Sequence, residues 1–190
     1  MNAFPLNSLR LMKFSLRLLV LALAGSLLSS CGTTSALKGT NGEAITSTRK
    51  FSKVTVQDFK LSVSEVGEKV TGSKVYFADR IATALNKTGK FASVKRNATP
   101  DANTLVVDGV ITKYVEGNPT LRFFIGMGAG SAFFESDVNF RDSKGATIGK
   151  IKVDKNSWAL GGGIAAGQSP QSMMEGAADK IAFEAAKLAK

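Results

Sequence analysis

The chain has 190 residues, with 25 lysines and arginines against 15 acids, one cysteine and no histidine. That length suits one domain with an added segment. A single cysteine cannot close an internal disulfide, and without histidine His-dependent triads are excluded and zinc sites excluded in practice. The formal charge of +10 becomes +7 once Arg10, Lys13 and Arg17 are set aside with the first thirty residues, which hold no acid; a basic balance attracts anionic lipid or polyanions without specifying a fold.

Residues 1–30 have the three parts of a cleaved signal peptide: a basic start, an apolar stretch and small residues before a cut. The apolar stretch, Leu18 to Leu28, is broken by Gly25 and Ser26. It is too short for a hydrocarbon core that needs roughly twenty residues. Leu28-Ser29-Ser30-Cys31 resembles the lipobox of bacterial lipoproteins, an aliphatic residue and two small residues before a cysteine. The resemblance implies that Cys31 becomes the first residue of the mature chain and carries acyl groups, whose methylenes anchor at about 0.8 kcal/mol each. Gly32 stands where an aspartate would retain a lipoprotein at the inner membrane, so the same resemblance implies the outer membrane, facing the periplasm.

Residues 31–50 continue as the lipidated cysteine and a stretch rich in Gly, Thr, Ser and Asn without apolar period. That composition predicts a flexible tether, spanning roughly 20–25 Å as a random coil.

Residues 51–190 are expected to form the domain. Alternation predicts a strand over Phe51–Leu61, with Phe59 and Leu61 on the opposite parity from Val54 and Val56. Ala78, Ile81, Ala82 and Leu85 recur at helical spacing within Lys74–Lys87, and Gly89 supplies a stop. Phe91–Arg96 reads as a short strand and Leu105–Val115 as a long one, in which Val106, Asp108, Val110, Thr112 and Tyr114 share one face and Leu105, Val107 and Ile111 the other. Gly109 suits close approach of a neighbouring element. Gly117-Asn118-Pro119 signals a turn. Ser131–Arg141 alternates most clearly, Ala132, Phe134, Val138 and Phe140 against Phe133, Glu135, Asp137, Asn139 and Arg141. Asp142-Ser143-Lys144-Gly145 predicts a hairpin turn into a strand over Ile148–Trp158. A last helix over Gln171–Leu188 carries an apolar stripe from Met174 to Leu188; Pro170 suits its start, and Ser172 and Glu175 have the spacing of a capping box. The order predicts an α+β two-layer sandwich, a largely antiparallel sheet with two helices packed on one face.

Chemistry-bearing motifs are sparse. Gly126-Met127-Gly128-Ala129-Gly130 lacks the third-glycine spacing and following helix of a dinucleotide loop, and Gly161-Gly162-Gly163 with Gly167 forms a second glycine-rich segment. Asp58, Asp79, Asp108, Asp137, Asp142 and Asp154 show no spacing that sets two carboxylates face to face. Lys95-Arg96 is the densest basic run, with no interleaved aromatics, which argues against nucleic acid. No catalytic residue, cofactor or metal is expected.

Several short motifs occur in the order seen in DUF4410, a family of bacterial lipoproteins, which the chain resembles over about residues 50–158. They are Val54-Thr55-Val56-Gln57-Asp58-Phe59, the helix Ala78–Leu85, Phe91-Ala92-Ser93-Val94, Asp101-Ala102, the Leu105–Val115 strand with Asp108-Gly109, Glu116-Gly117-Asn118, Arg122, the glycines of 126–130, and the strand and turn Val138–Asp142. The resemblance implies an α/β fold in an envelope lipoprotein and no agreed activity. The expectation is a membrane-anchored, non-enzymatic binding or assembly module, attached to lipid through acylated Cys31 and meeting an envelope protein partner. The alternatives are a subunit of an envelope export or trafficking complex, or a carboxylate-dependent hydrolase.

Overall fold

The computed structural model describes residues 32–39, 41–43, 45, 50–64, 67–125, 129–157 and 168–190. The signal segment, Cys31, Trp158 and the glycines of 126–128 and 161–167 lie outside the described residues.

Seven described strands form one sheet: β1 (Gly32–Thr34), β2 (Lys53–Val56), β3 (Lys60–Leu61), β4 (Ser93–Arg96), β5 (Thr104–Val115), β6 (Phe133–Arg141) and β7 (Thr147–Asn156). Their order is β1-β7-β6-β5-β2-β4, with β3 beside β5. The pairs β5/β6, β6/β7 and β1/β7 are antiparallel, while β2 runs parallel to β4 and β5 and β3 runs parallel to β5. Two long helices, α1 (Glu68–Thr88) and α3 (Pro170–Ala186), supply the other layer, and a short helix, α2 (Pro119–Phe124), follows β5. The expected α+β sheet, mostly antiparallel, is present.

The core lies between the helices and one sheet face. Leu105, Val107 and Ile111 of β5 and Phe134, Val138 and Phe140 of β6 are buried against Phe77, Ile81 and Leu85 of α1 and Met174, Ala177 and Ile181 of α3. Phe77 joins the layers, its ring 4.9 Å from those of both Phe59 and Phe134. The opposite face of β6 carries Glu135, Asp137, Asn139 and Arg141, the solvated half of the alternation.

Besides the unpredicted short helix α2, the structure differs from the sequence reading at five places. The first predicted strand is split: β2 ends at Val56, and the chain bends before β3, so Phe59 reaches the same core as Val54 and Val56 despite its parity. Its ring lies over Gly109, where a Cβ would collide with it. In β5 the register slips between Ile111 and Lys113, leaving Thr112 as an extra exposed residue and turning Tyr114 into the core; an inserted residue exchanges the faces of the residues after it. Helix α1 starts six residues earlier than expected, because Val70 alone packs on the core in its first turn and a single apolar residue makes no period. Helix α3 is capped by Ser169 with Ser172, not by Ser172 with Glu175; Glu175 instead accepts a hydrogen bond from the Tyr76 hydroxyl at 2.7 Å, linking α3 to α1.

The fifth difference is in the expected tether, whose described residues 32–38 belong to the sheet. β1 pairs with β7, Ser35 N–H donates to Lys152 O at 2.9 Å, and Lys38 and Lys150 exchange backbone hydrogen bonds of 3.0 and 2.7 Å. Leu37 is buried, and its backbone N–H donates to the Glu184 carboxylate of α3 at 3.3 Å. Gly149 permits this, since a Cβ there would meet Lys38 O at 2.7 Å. One buried leucine in a polar run leaves no periodicity to read.

Candidate functional site

The row of residues nearest Cys31 runs across four strands. Gly32 stands opposite Lys155, Lys155 opposite Phe134, and Phe134 opposite Tyr114. With strands about 4.8 Å apart, Gly32 and Tyr114 are separated by roughly 14 Å along this row. The sheet end that receives the chain from Cys31 is therefore the end at which β5 leaves for α2 and at which β6 begins.

Two glycines shape the segment between β5 and β6. Gly117 has φ +70° and Gly130 φ +67°, both in the left-handed region open to glycine. The backbone N–H of Asn118 donates to Gly130 O at 2.8 Å. A Cβ on Gly117 would strike Gly130 O, and one on Gly130 would lie 2.9 Å from Leu121 Cβ. Asn118 caps α2, its side-chain oxygen accepting from Thr120 N–H at 3.0 Å and Leu121 N–H at 3.2 Å, with Pro119 following it. The sequence signalled a turn here; an Asn cap followed by proline was also a helix-start signal, unread because only six residues follow. Leu121, Phe124 and the C-cap residue Ile125 are exposed.

Other elements close the same end. Ala132 and Ser157 tie the start of β6 to the end of β7, Ser157 N–H donating to Ala132 O at 2.9 Å and Ala132 N–H to Ser157 Oγ at 2.7 Å. Gln171, in the first turn of α3, donates to the Tyr114 hydroxyl at 3.0 Å. Lys69 of α1 pairs with Glu116 at 3.0 Å. Lys155 is part-buried, and burial pulls its ammonium below the usual lysine range. Both glycine-rich segments singled out in the sequence have their described flanks here: Ile125 and Ala129 beside the first, Ser157 and Gln168 beside the second.

The carboxylates weighed for chemistry are distributed elsewhere. Asp58 and Asp79 meet through Arg96, whose Nη2 donates to Asp58 and whose Nε donates to Asp79 at 2.7 Å; its Nη1 donates to Val56 O. Arg96 holds the Asp58 carboxyl below its usual range. The densest basic run thus supplies a clamp joining β2, β4 and α1. Asp108 accepts from Asn139 Nδ2 and Arg141 Nε, both at 2.9 Å, on the open face of the sheet. Asp137 lies on that face opposite Lys152 and Val110, and Asp154 is exposed opposite Thr33. Asp142 organises the predicted hairpin turn, its Oδ1 accepting from Lys144 N–H at 3.0 Å and Ala146 N–H at 2.9 Å.

The sequence reading missed Glu184. It is 2% exposed and accepts from Lys180 Nζ at 2.8 Å, Lys187 Nζ at 2.7 Å and Leu37 N–H. Burial pulls its carboxyl upward, but these donors outweigh burial and hold it at about 2. Among the described residues no group of three or more His, Cys, Asp or Glu could hold a metal ion, and no helix is long and apolar enough to cross a membrane.

Several solved structures share this fold, among them two forms of one protein. PelC from Paraburkholderia phytofirmans, described as a dodecamer, matches with TM-score 0.54 and 14% identity over 84% of this chain and 99% of its own. A single-substitution variant of it, also a dodecamer, matches with TM-score 0.54 and 16% identity over 84% and 98%. No curated protein matches the chain. The family model described as domain of unknown function (DUF4410) matches residues 54–161, more than half of the chain. The match starts inside β2 and runs through α1, β5, α2 and β7, and the chain belongs to the DUF4410 family.

Proposed function

We propose that this protein is an envelope lipoprotein, cut after Ser30, acylated on Cys31 and held at the outer membrane facing the periplasm, where its domain acts as a non-enzymatic binding or assembly module. The observation that carries this reading is Leu28-Ser29-Ser30-Cys31 in register behind a basic start and a short apolar stretch. The fold supports it: β1 begins at Gly32, so an acyl group on Cys31 would attach one residue from the sheet edge. Asp58, Asp79 and Asp108 are engaged by arginines that tie strands to one another and to α1, which supports binding over carboxylate hydrolysis. A Cys31→Ser chain should leave the membrane fraction; if it stayed with membranes through a high-salt wash, lipid anchoring would be wrong.

A second reading, assembly into several copies, is favoured by the likeness to the PelC dodecamer. It fits a subunit of an export or trafficking complex. The mass of the detergent-solubilised protein separates it from a monomer that captures an envelope partner.

A further inference from the structure

The described residues leave five large apolar side chains exposed, and three of them are together: Leu121 at 42%, Phe124 at 78% and Ile125 at 62%. They lie on α2 and its C-cap, a helix of six residues. So short a helix is not stable by itself in water. It is held by the Asn118 cap, by Pro119 and by the contact of Gly117 with Gly130. The fold thus places a short helix and leaves its apolar residues exposed, and a contiguous exposed apolar patch marks an interaction surface.

The place of the patch indicates what covers it. Residues 1–31 join the fold at Gly32, in the same row as Tyr114, and α2 begins five residues beyond Tyr114. Consecutive Cα atoms are about 3.8 Å apart. With β1 starting at Gly32, almost no free chain separates an acylated Cys31 from the sheet. A bilayer that receives those acyl chains must come up to this end of the domain, where Leu121, Phe124 and Ile125 protrude.

We propose that Leu121, Phe124 and Ile125 enter the interfacial layer of the membrane that takes the acyl chains of Cys31, forming a second, non-covalent attachment that holds the domain against the bilayer. The proposal rests on the acylation of Cys31 and adds an orientation to it: the ends of β1, β5 and β7 next to Gly32, Val115 and Asn156 face lipid, and the Asp142–Gly145 turn at the other end of β6 points away. Apolar side chains at a membrane interface gain by the same burial that drives amphipathic helices onto it.

The test uses the full-length, membrane-processed chain in vesicles of phosphatidylethanolamine and phosphatidylglycerol with brominated acyl chains. Trp158→Phe removes the native indole, and Phe124→Trp places a reporter on the patch. Phe183→Trp in the same background is the control: Phe183 is exposed but lies about 20 Å further along α3 from Pro170, at 1.5 Å per residue. The expected result is strong quenching and a blue shift for Phe124→Trp, with neither for Phe183→Trp. Equal, weak quenching at both positions in a chain that remains vesicle-bound would overturn the insertion. A blue shift without quenching that grows with protein concentration would assign the patch to a second copy and overturn it as well. The mass of the same preparation reports acylation separately: an unmodified Cys31 overturns both readings, whereas acylation with an unquenched reporter overturns only the insertion.

Discussion

Leu37 donates its backbone N–H to Glu184, across 147 positions of sequence, and this bond fastens the segment that follows Cys31 to the last helix. Together with the pairing of β1 and β7 it turns a stretch of linker composition into an edge of the sheet. The domain is consequently sewn to its expected anchor with almost no slack.

The donors to Glu184, Lys180 and Lys187 first and then the Leu37 N–H, make stability depend on pH in a defined window. Glu184 is buried and its carboxyl is held at about 2 against an ordinary 4.5. A depressed folded-state pKa contributes stability fully above the ordinary value, and the contribution disappears as pH falls toward the folded one. Unfolding free energy should drop by up to about 3 kcal/mol between pH 4.5 and 2 on this account. Glu184→Gln should be less stable at neutral pH and flatter across that window in urea titrations. Parallel pH profiles for the two chains would show that Glu184 does not carry the effect.

Gly117 and Gly145 should differ in what a methyl group costs. Both have positive φ, but a Cβ on Gly145 meets nothing within 4 Å, whereas one on Gly117 meets Gly130 O and Ala132 N. Gly145→Ala should cost only the left-handed backbone penalty, about 1–2 kcal/mol. Gly117→Ala should cost more and raise hydrogen exchange in α2. Equal losses in thermal denaturation would contradict the packing described between β5 and β6.

Gly109 and Phe59 should be energetically coupled. Gly109→Ala drives a methyl against both the Phe59 ring and the Asp137 carbonyl oxygen, and overpacking of this kind costs about 1–3 kcal/mol, of which a smaller residue at position 59 can relieve only the ring's part. Phe59→Leu alone opens space beneath β3. The double variant should be more stable than the sum of the single losses implies, by a coupling of about 0.5–3 kcal/mol. Simple additivity would mean that the collision with the Asp137 carbonyl, and not the one with the ring, sets the cost at Gly109.

The acids expected to lack a facing partner converge only at Arg96. Arg96→Met should raise the Asp58 pKa toward the ordinary carboxylate range, readable by NMR titration, and loosen β4 from β2. An unchanged Asp58 titration would show that the guanidinium does not set it.

The long elements were legible because they repeat. β6 alternates through nine residues and α3 presents Met174, Ala177, Ala178, Ile181 and Ala185 on one buried face. The illegible parts depend on single residues or on partners distant in sequence. β1 is three residues long and takes its place from β7. The face of Tyr114 depends on one extra residue at Thr112. Glu184 reads as an ordinary acid next to an apolar stripe until Leu37, Lys180 and Lys187 are brought to it. At the site, Gly117, Asn118 and the glycines before Ser131 were visible as a turn and a loop. Their joint role in presenting α2 was not, since it rests on contact between residues 117 and 130.

The intact mass of the mature chain extracted from membranes decides whether Cys31 is the anchor. The expected species is residues 31–190 beginning at Cys31, with the added mass of a thioether-linked diacylglyceryl group and an amide-linked acyl chain. A chain that retains residues 1–30, or one that begins at Cys31 with a free thiol, would contradict lipid anchoring.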